Sequence, residues 1–323
     1  MIRTLRSLLF ACSALAVVAT PVMAQQFPSK PLRWVAPSSP GSGSDIAARF
    51  IGEKISRELG QPVVIDNKPG AGGTLGSRVV AKAAADGYTM VVGNAGSHGI
   101  NAAIYTRLDY DIVKDFAPVA LFCTSPNVMV VSPVIKAQSI NEFVTLAKAN
   151  PGKFNYASGG TGSSAHMSAE LFKSMTGTNL THVPYNGGGA AVTSVLANES
   201  QLMIGNLPPW VGVIKSGKVQ ALAVTTAKRH ASLPNVPAMS EVLPGYETVA
   251  WFGLLAPVGT PRAIVERLNK LANQALQQPD MIAKFDSMSC DPAAISPEAF
   301  GAQIASAVAR WKKLAAEKNI RAI

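Results

Sequence analysis

The stretch PLRWVAPSSPGSGSDIAAR, residues 31–49, changes periodicity halfway along. Leu32 to Ala36 is a short apolar run of strand type, and Pro37, Pro40 and Gly41 end it. Apolar residues then return at helical spacing over 45–59, with Ser44 or Asp45 placed to cap the helix. In an open α/β sheet such a loop lies at the carboxyl end of its strand, where ligands bind. A helix N-terminus there favours an anion by about 0.3–1 kcal/mol, and by up to ~2 when partly buried.

The same strand, loop and helix order recurs outward from this stretch. Residues 63–65 predict a strand, 73–85 a helix and 88–93 a strand. The pattern restarts with strands at 128–131, 155–157, 181–183, 202–204 and 220–225, and helices at 140–150, 161–176 and 188–197. A long apolar run at 248–256 precedes helices at 262–277, 279–288 and 297–318. Alternation of this kind implies parallel sheets covered by helices. Two α/β units in series with late helices predict two Rossmann-like domains joined by two crossing strands. Domain one takes 25–123 and 251–323, and domain two takes 124–250.

Arg3 and Arg6, an apolar stretch at 8–19 and Val22-Met23-Ala24 read as a secretory signal over 1–24, so a periplasmic protein is expected. No later segment is apolar for long enough to span a bilayer. The formal net charge is +10, but the positives are dispersed singly and not interleaved with aromatics. That pattern argues against nucleic acid and mildly favours acidic ligands through long-range attraction. Cys123 and Cys290 show neither CxxC nor metal-ligand spacing, so no metal is expected. They could pair, but nothing in the sequence gives their separation. The expectation is two buried or free thiols.

The loop IDNKPGAGGTLG, residues 65–76, imitates a nucleotide fingerprint, yet its last glycine is displaced by one. Asp66 to Pro69 also separate it from the strand, and it reads as a structural turn with no cofactor. Three further loops, at 94–101, 156–172 and 182–192, repeat the Gly, Ser, Thr and Asn composition and carry few charges. Ser97 and Ser163 lie outside G-x-S-x-G, so the nucleophile-elbow signal is missing. Backbone amides and hydroxyls of such loops suit a small anion, without the titratable pairs of acid–base chemistry.

With these segments in hand, the chain resembles the periplasmic solute receptors of the tripartite tricarboxylate transporter family, the Bug receptors. VVIDNKPGAGGTLGS, LDYDIVKDFAPVA, NYASGGTGSSAHMSAELF, THVPYNGGGAAV, LAVTTAKR and WFGLLAPVGTP follow the opening stretch in family order. The resemblance implies a two-lobed type II periplasmic-binding-protein fold, a monomer that closes on a small organic acid. It implies integral-membrane transporter subunits as partners and no enzyme activity. By position it implies ligand contacts at Ser38, Ser39, Gly43, Ser44 and Asp45, with Asp45 as a helix cap or water ligand. Ser97 and His98 follow, then Ser158, Gly160, Thr161, Ser163, His166, Tyr185 and Asn206. Departures from the family pattern at Gly205-Asn206 and Asn186 predict recognition through carboxylate or neutral groups rather than an ammonium. The alternatives are a secreted hydrolase using Ser97 or Ser163, or a receptor feeding a signalling partner.

Overall fold

The computed structural model describes residues 27–318, 320 and 321; the expected signal segment lies outside them. Strand β1 (Leu32–Ala36) leads into helix α1 (Gly43–Leu59), which stops at Gly60 in the left-handed region, φ 64°. Glycine carries no Cβ penalty there. The chain returns as β2 (Val63–Asn67), parallel to β1 with Leu32 opposite Val63. After a 3₁₀ turn at Ala71–Gly73 come α2 (Thr74–Ala81) and β3 (Thr89–Asn94), parallel to β1 on its other side. Short helical turns at Gly96–Ile100 run into α3 (Asn101–Ile104).

Strand β4 (Phe116–Val131) then leaves this lobe and enters the next. The second lobe adds α4 (Ile140–Ala149), β5 (Asn155–Ser158), α5 (Ser164–Thr176), β6 (Thr181–Pro184) and α6 (Gly188–Leu196). It closes with β7 (Leu202–Asn206), α7 (Val211–Lys215) and β8 (Gln220–Val224). Strand β9 (Val249–Pro257) carries the chain back to α8 (Arg262–Leu276), α9 (Pro279–Ser287), β10 (Asp291–Pro292) and α10 (Pro297–Lys318). The strand order is β2-β1-β3-β9-β4-β7-β5-β6, with β8 and β10 also on β4.

The composition expected only 128–131 as strand, but β4 begins at Phe116. Pro118 and Pro126 make its first part read as loop. The ladder to β9 shifts register between Pro118 and Ala120 and between Leu121 and Cys123, and ends with Pro126 opposite Val249. From Phe116 to Pro126 β4 pairs with β9, and from Asn127 to Val131 it pairs with β7. Separate cores flank this crossing. Trp34, Met90, Phe122 and Leu254 pack under α1 and α8, while Met129, Phe143, Tyr156 and Leu202 fill the second lobe.

A buried polar network ties the crossing together. The Asn127 amide donates to Thr225 Oγ1 (2.9 Å), and Thr225 Oγ1 donates to the Thr248 carbonyl (2.5 Å). Asn127 Nδ2 donates to Ser168 Oγ (3.0 Å), which donates to Thr248 Oγ1 (2.8 Å). These hydrogen bonds make burial of so many polar atoms tolerable, and Asn127 Oδ1 alone of the network's side-chain atoms is left without a partner among the described residues.

The cysteines correct the sequence expectation. Cys123 on β4 and Cys290 before β10 form a disulfide, with Cα atoms 5.6 Å apart across 167 positions of sequence. The pairing depends on the late return of α9 and β10 to β4, which local pattern does not encode. Replacing both cysteines by alanine is expected to lower stability by about 2–5 kcal/mol. Urea unfolding of wild type and variant, each with and without reductant, measures this; reductant should shift only the wild type.

Candidate functional site

A cavity of about 1100 Å³ opens between the lobes. The loops after β1 and β3 wall it on one side, and those after β5, β6 and β7 on the other. Of the residues expected at the site, Ser38, Ser39, Gly43, Ser44, Gly160, Thr161, Ser163, Tyr185 and Asn206 line it. Asp45, Ser97, His98, Ser158 and His166 do not.

In the first loop Ser42, not Ser44 or Asp45, caps α1 by accepting the Asp45 amide (3.4 Å). Ser42 Oγ donates to Ser38 Oγ (2.9 Å), and Ser38 and Ser44 share a hydrogen bond of 2.8 Å. These hydroxyls hold one another at the cavity edge. The Asp45 carboxylate turns back into its own lobe, accepting from the Gly41 amide, from Arg49 and from Asn67 Nδ2 (2.9 Å). Burial opposes its charge, but these donors outweigh burial and hold the carboxyl below its ordinary pKa. Asp45 is therefore a brace for the loop, neutralised by Arg49.

After β3, Asn94 Oδ1 accepts the amides of Gly96 (2.9 Å) and Ser97 (3.0 Å). This turn drives Ser97 and His98 into the core, where both are wholly buried. Ser97 Oγ lies 2.9 Å from His98 Nδ1, and the imidazole sits edge-on to Phe116. Burial lowers the His98 pKa to about 3. The pair has the nucleophile–base spacing of a hydrolase but is sealed from the cavity. Among the described residues nothing bonds His98 Nε2, so no carboxylate orients the ring.

In the second lobe Ser163 caps α5, accepting the His166 amide (3.3 Å). His166 Nδ1 accepts the Gly162 amide (3.3 Å) from behind the loop. Ser158 Oγ accepts the Gly160 amide (3.2 Å) and meets His182 Nε2 at 2.7 Å. His166 and His182 stack at 4.3 Å, and His182 stacks on Tyr156, whose hydroxyl donates to Glu170. Ser158 and His166 thus shape the loop without facing the cavity. Burial lowers both imidazoles; for His182 the neighbouring His166 adds to the effect and the value reaches about 4.

Several lining residues escaped the sequence reading. The loop at 69–73, read as structural, forms part of the wall, and Asn94, Phe252 and Met288 also reach it. A Cβ on Gly43 would lie 2.8 Å from Phe252 Cζ, so the Phe252 ring sits beneath the N-terminus of α1. Ile46, Ala250 and Met288 extend this apolar floor. No Asp, Glu, Lys, Arg or His side chain lines the cavity among the described residues, and no cluster of metal ligands is found among them. Instead α1, α5 and α6 open onto it at Gly43, Ser164 and Gly188, with the unpaired amides of their first turns.

The lobes touch across the cavity through glycines. A Cβ on Gly72 would lie 2.7 Å from the Thr161 carbonyl, and one on Gly162 only 2.5 Å from Asn101 Oδ1. Gly187 approaches Ser39 Oγ as closely as 3.0 Å by the same measure. The lobes close over the cavity because these positions carry no side chain.

A family model described as "Tripartite tricarboxylate transporter family receptor" matches residues 47–320. A protein encoded in the tcbD–tcbE intergenic region of a Pseudomonas species is 38% identical, covering 96% of this chain and 93% of its own. BugT of Bordetella pertussis is 33% identical, covering 95% of each chain. Among solved structures, Rpa4515 of R. palustris with adipate superposes with a TM-score of 0.88 at 34% identity, over 92% of this chain and 100% of that one. MatC of Rhodopseudomonas palustris with bound malate gives 0.85 at 32%, over 89% and 99%.

Two outcomes follow from the loop geometry. Gly162→Ala should hold the lobes apart and leave a more open envelope in small-angle scattering. Gly177→Ala is the control, since Gly177 also has positive φ (67°) but meets nothing within 4 Å. The histidines set a pH response. Unfolded imidazole, near 6.5, takes up protons that folded His182, near 4, refuses. Stability is therefore complete above about 6.5 and is lost as pH falls toward about 4. Thermal unfolding should show Tm falling through that window, and falling less in His182→Gln.

Proposed function

The chain belongs to the tripartite tricarboxylate transporter receptor family, and we propose that it is a periplasmic receptor delivering a small carboxylate to a membrane transporter of that type. The observation that carries this reading is the cavity wall. It offers helix N-termini, loop amides and hydroxyls, and no charged side chain among the described residues. An anion held there gains from several fixed dipoles and meets no carboxylate to repel it. The adipate and malate in the solved relatives support this class of ligand. The chain acts by capture and release rather than by chemistry, since no titratable pair faces the ligand.

Residues 25–123 with 251–323 form one domain and 124–250 the other, hinged where β4 and β9 cross. A ligand that contacts both lobes favours the closed form over the open one. Micromolar binding corresponds to about −8 kcal/mol. Hydrogen bonds to a charged group, at about 1.5–3 kcal/mol each, supply the gross energy, against the cost of association and ordering. The segment 1–24 exports the chain, which works as a monomer alongside integral-membrane subunits.

A thermal-shift screen of organic acids, with mass spectrometry of any ligand retained on gentle purification, tests the receptor reading. At least one carboxylate should raise Tm by several degrees and bind stoichiometrically in calorimetry. A flat response to every carboxylate overturns it.

A further inference from the structure

We infer that Asn94 and Asn206 set the ligand specificity of the cavity as a pair of hydrogen-bond donors, one from each lobe. Together they select ligands with an acceptor at both ends and reject those carrying an ammonium. The inference rests on the carboxylate-receptor reading and assigns it to named atoms.

Each asparagine is the last residue of its strand, Asn94 on β3 and Asn206 on β7. Both line the cavity. The crossing strands β9 and β4 lie between them in the sheet, so they face the ligand from opposite lobes. In each, the protein has already engaged the carboxamide oxygen. Asn94 Oδ1 accepts the amides of Gly96 and Ser97. A backbone N–H can only donate, so this contact fixes which side of the carboxamide turns inward. Asn206 Oδ1 accepts from Ser164 Oγ at 2.9 Å, in the first turn of α5. The amino groups of both have no protein partner among the described residues, and both residues remain partly exposed. What they present to a ligand is N–H.

Two further features of the wall act in the same direction. Three helix N-termini add donors, and no carboxylate lines the cavity among the described residues. Met203 lies two positions before Gly205 on β7, and its thioether occupies the space a side chain at 205 would need. The methyl and sulfur of Met203 thus fill the place beside Asn206 that a carboxylate at 205 would take. A ligand ammonium would leave water and find only hydroxyl and carbonyl dipoles, beside N–H groups that repel it. A carboxylate, carbonyl or hydroxyl oxygen in the same place completes the unpaired donors. Because the donors come from different lobes, a ligand with acceptors at both ends engages both only in the closed form.

Length-matched series separate the possibilities. Calorimetry would compare α,ω-dicarboxylates of about four to eight carbons with the ω-amino acids and monocarboxylates of equal length. The expected result is a dicarboxylate that binds about 100-fold or more tightly than its ω-amino counterpart, with the monocarboxylate weakened by about tenfold or more. Asn94→Asp and Asn206→Asp each keep an inward acceptor oxygen but turn a carboxylate oxygen outward. Each should cut dicarboxylate affinity by about tenfold or more and narrow the gap to the ω-amino acid. An ω-amino acid or monocarboxylate that binds as well as the dicarboxylate overturns the donor pair while leaving the receptor reading intact. Variants that fold and leave the ratio unchanged also overturn it. Binding of no carboxylate removes both together. The wild-type ratio decides the matter even if a variant fails to fold.

Discussion

The antiparallel pairing of β4 with β9 is the constraint on which the rest of the molecule depends. It is the place where the chain passes between lobes in both directions, and both cores and the cavity are arranged about it. β4 pairs with β9 in its first part and with β7 in its second, so one strand belongs to both lobes. The Asn127, Ser168, Thr225 and Thr248 network makes that junction specific, because each of its hydrogen bonds needs a particular donor and acceptor from different elements. The Cys123–Cys290 bridge fastens the returning chain to the same strand. Met288, two residues away, is thereby held at the cavity floor.

The cavity draws its electrostatics from backbone rather than from ionised side chains. Charged groups near the loops are spent within their own lobes: Asp45 on Arg49, and Glu170 on Lys173 and Tyr156. Dipoles fixed by helix geometry need no counter-ion and no change of protonation. A wall built from them keeps its electrostatics as pH changes, so long as the loops keep their shape. The buried histidines connect shape to pH indirectly, since His166 and His182 hold the loop at 159–163 through Gly162 and Ser158.

The fold was largely readable from sequence because its elements are local. Strand-to-helix switches such as Ala36 to Gly43 and Ser158 to Ser164 announce themselves by punctuation and periodicity within a dozen residues. The first part of β4 was not readable, because Pro118 and Pro126 give it the composition of a loop and its ladder, with two register shifts, depends on β9 far along the chain. The site was readable by composition more than by residue. The Gly, Ser, Thr and Asn loops wall a cavity that no charged side chain lines among the described residues, and nine of the expected residues line it. Ser97 and His98 were misplaced because the Asn94 turn reverses the direction of the following side chains. Ser158 and His166 stand one layer behind the wall. The loop at 69–73 lacks a nucleotide fingerprint and so gives no signal in sequence, though a wall residue needs only an accessible backbone.

By itself the sequence determined the alternation of short strands with helices and the Gly-, Ser-, Thr- and Asn-rich loops between them, all through interactions between residues near in the chain. Tertiary structure decided which side chains face the cavity, that Cys123 meets Cys290, and that glycines at 72, 162 and 187 allow the lobes to touch. The reason is physical. Backbone propensity and amphipathic period act over a few residues, whereas the direction of a side chain at a strand end, and the space left for it, are set by elements more than a hundred residues away.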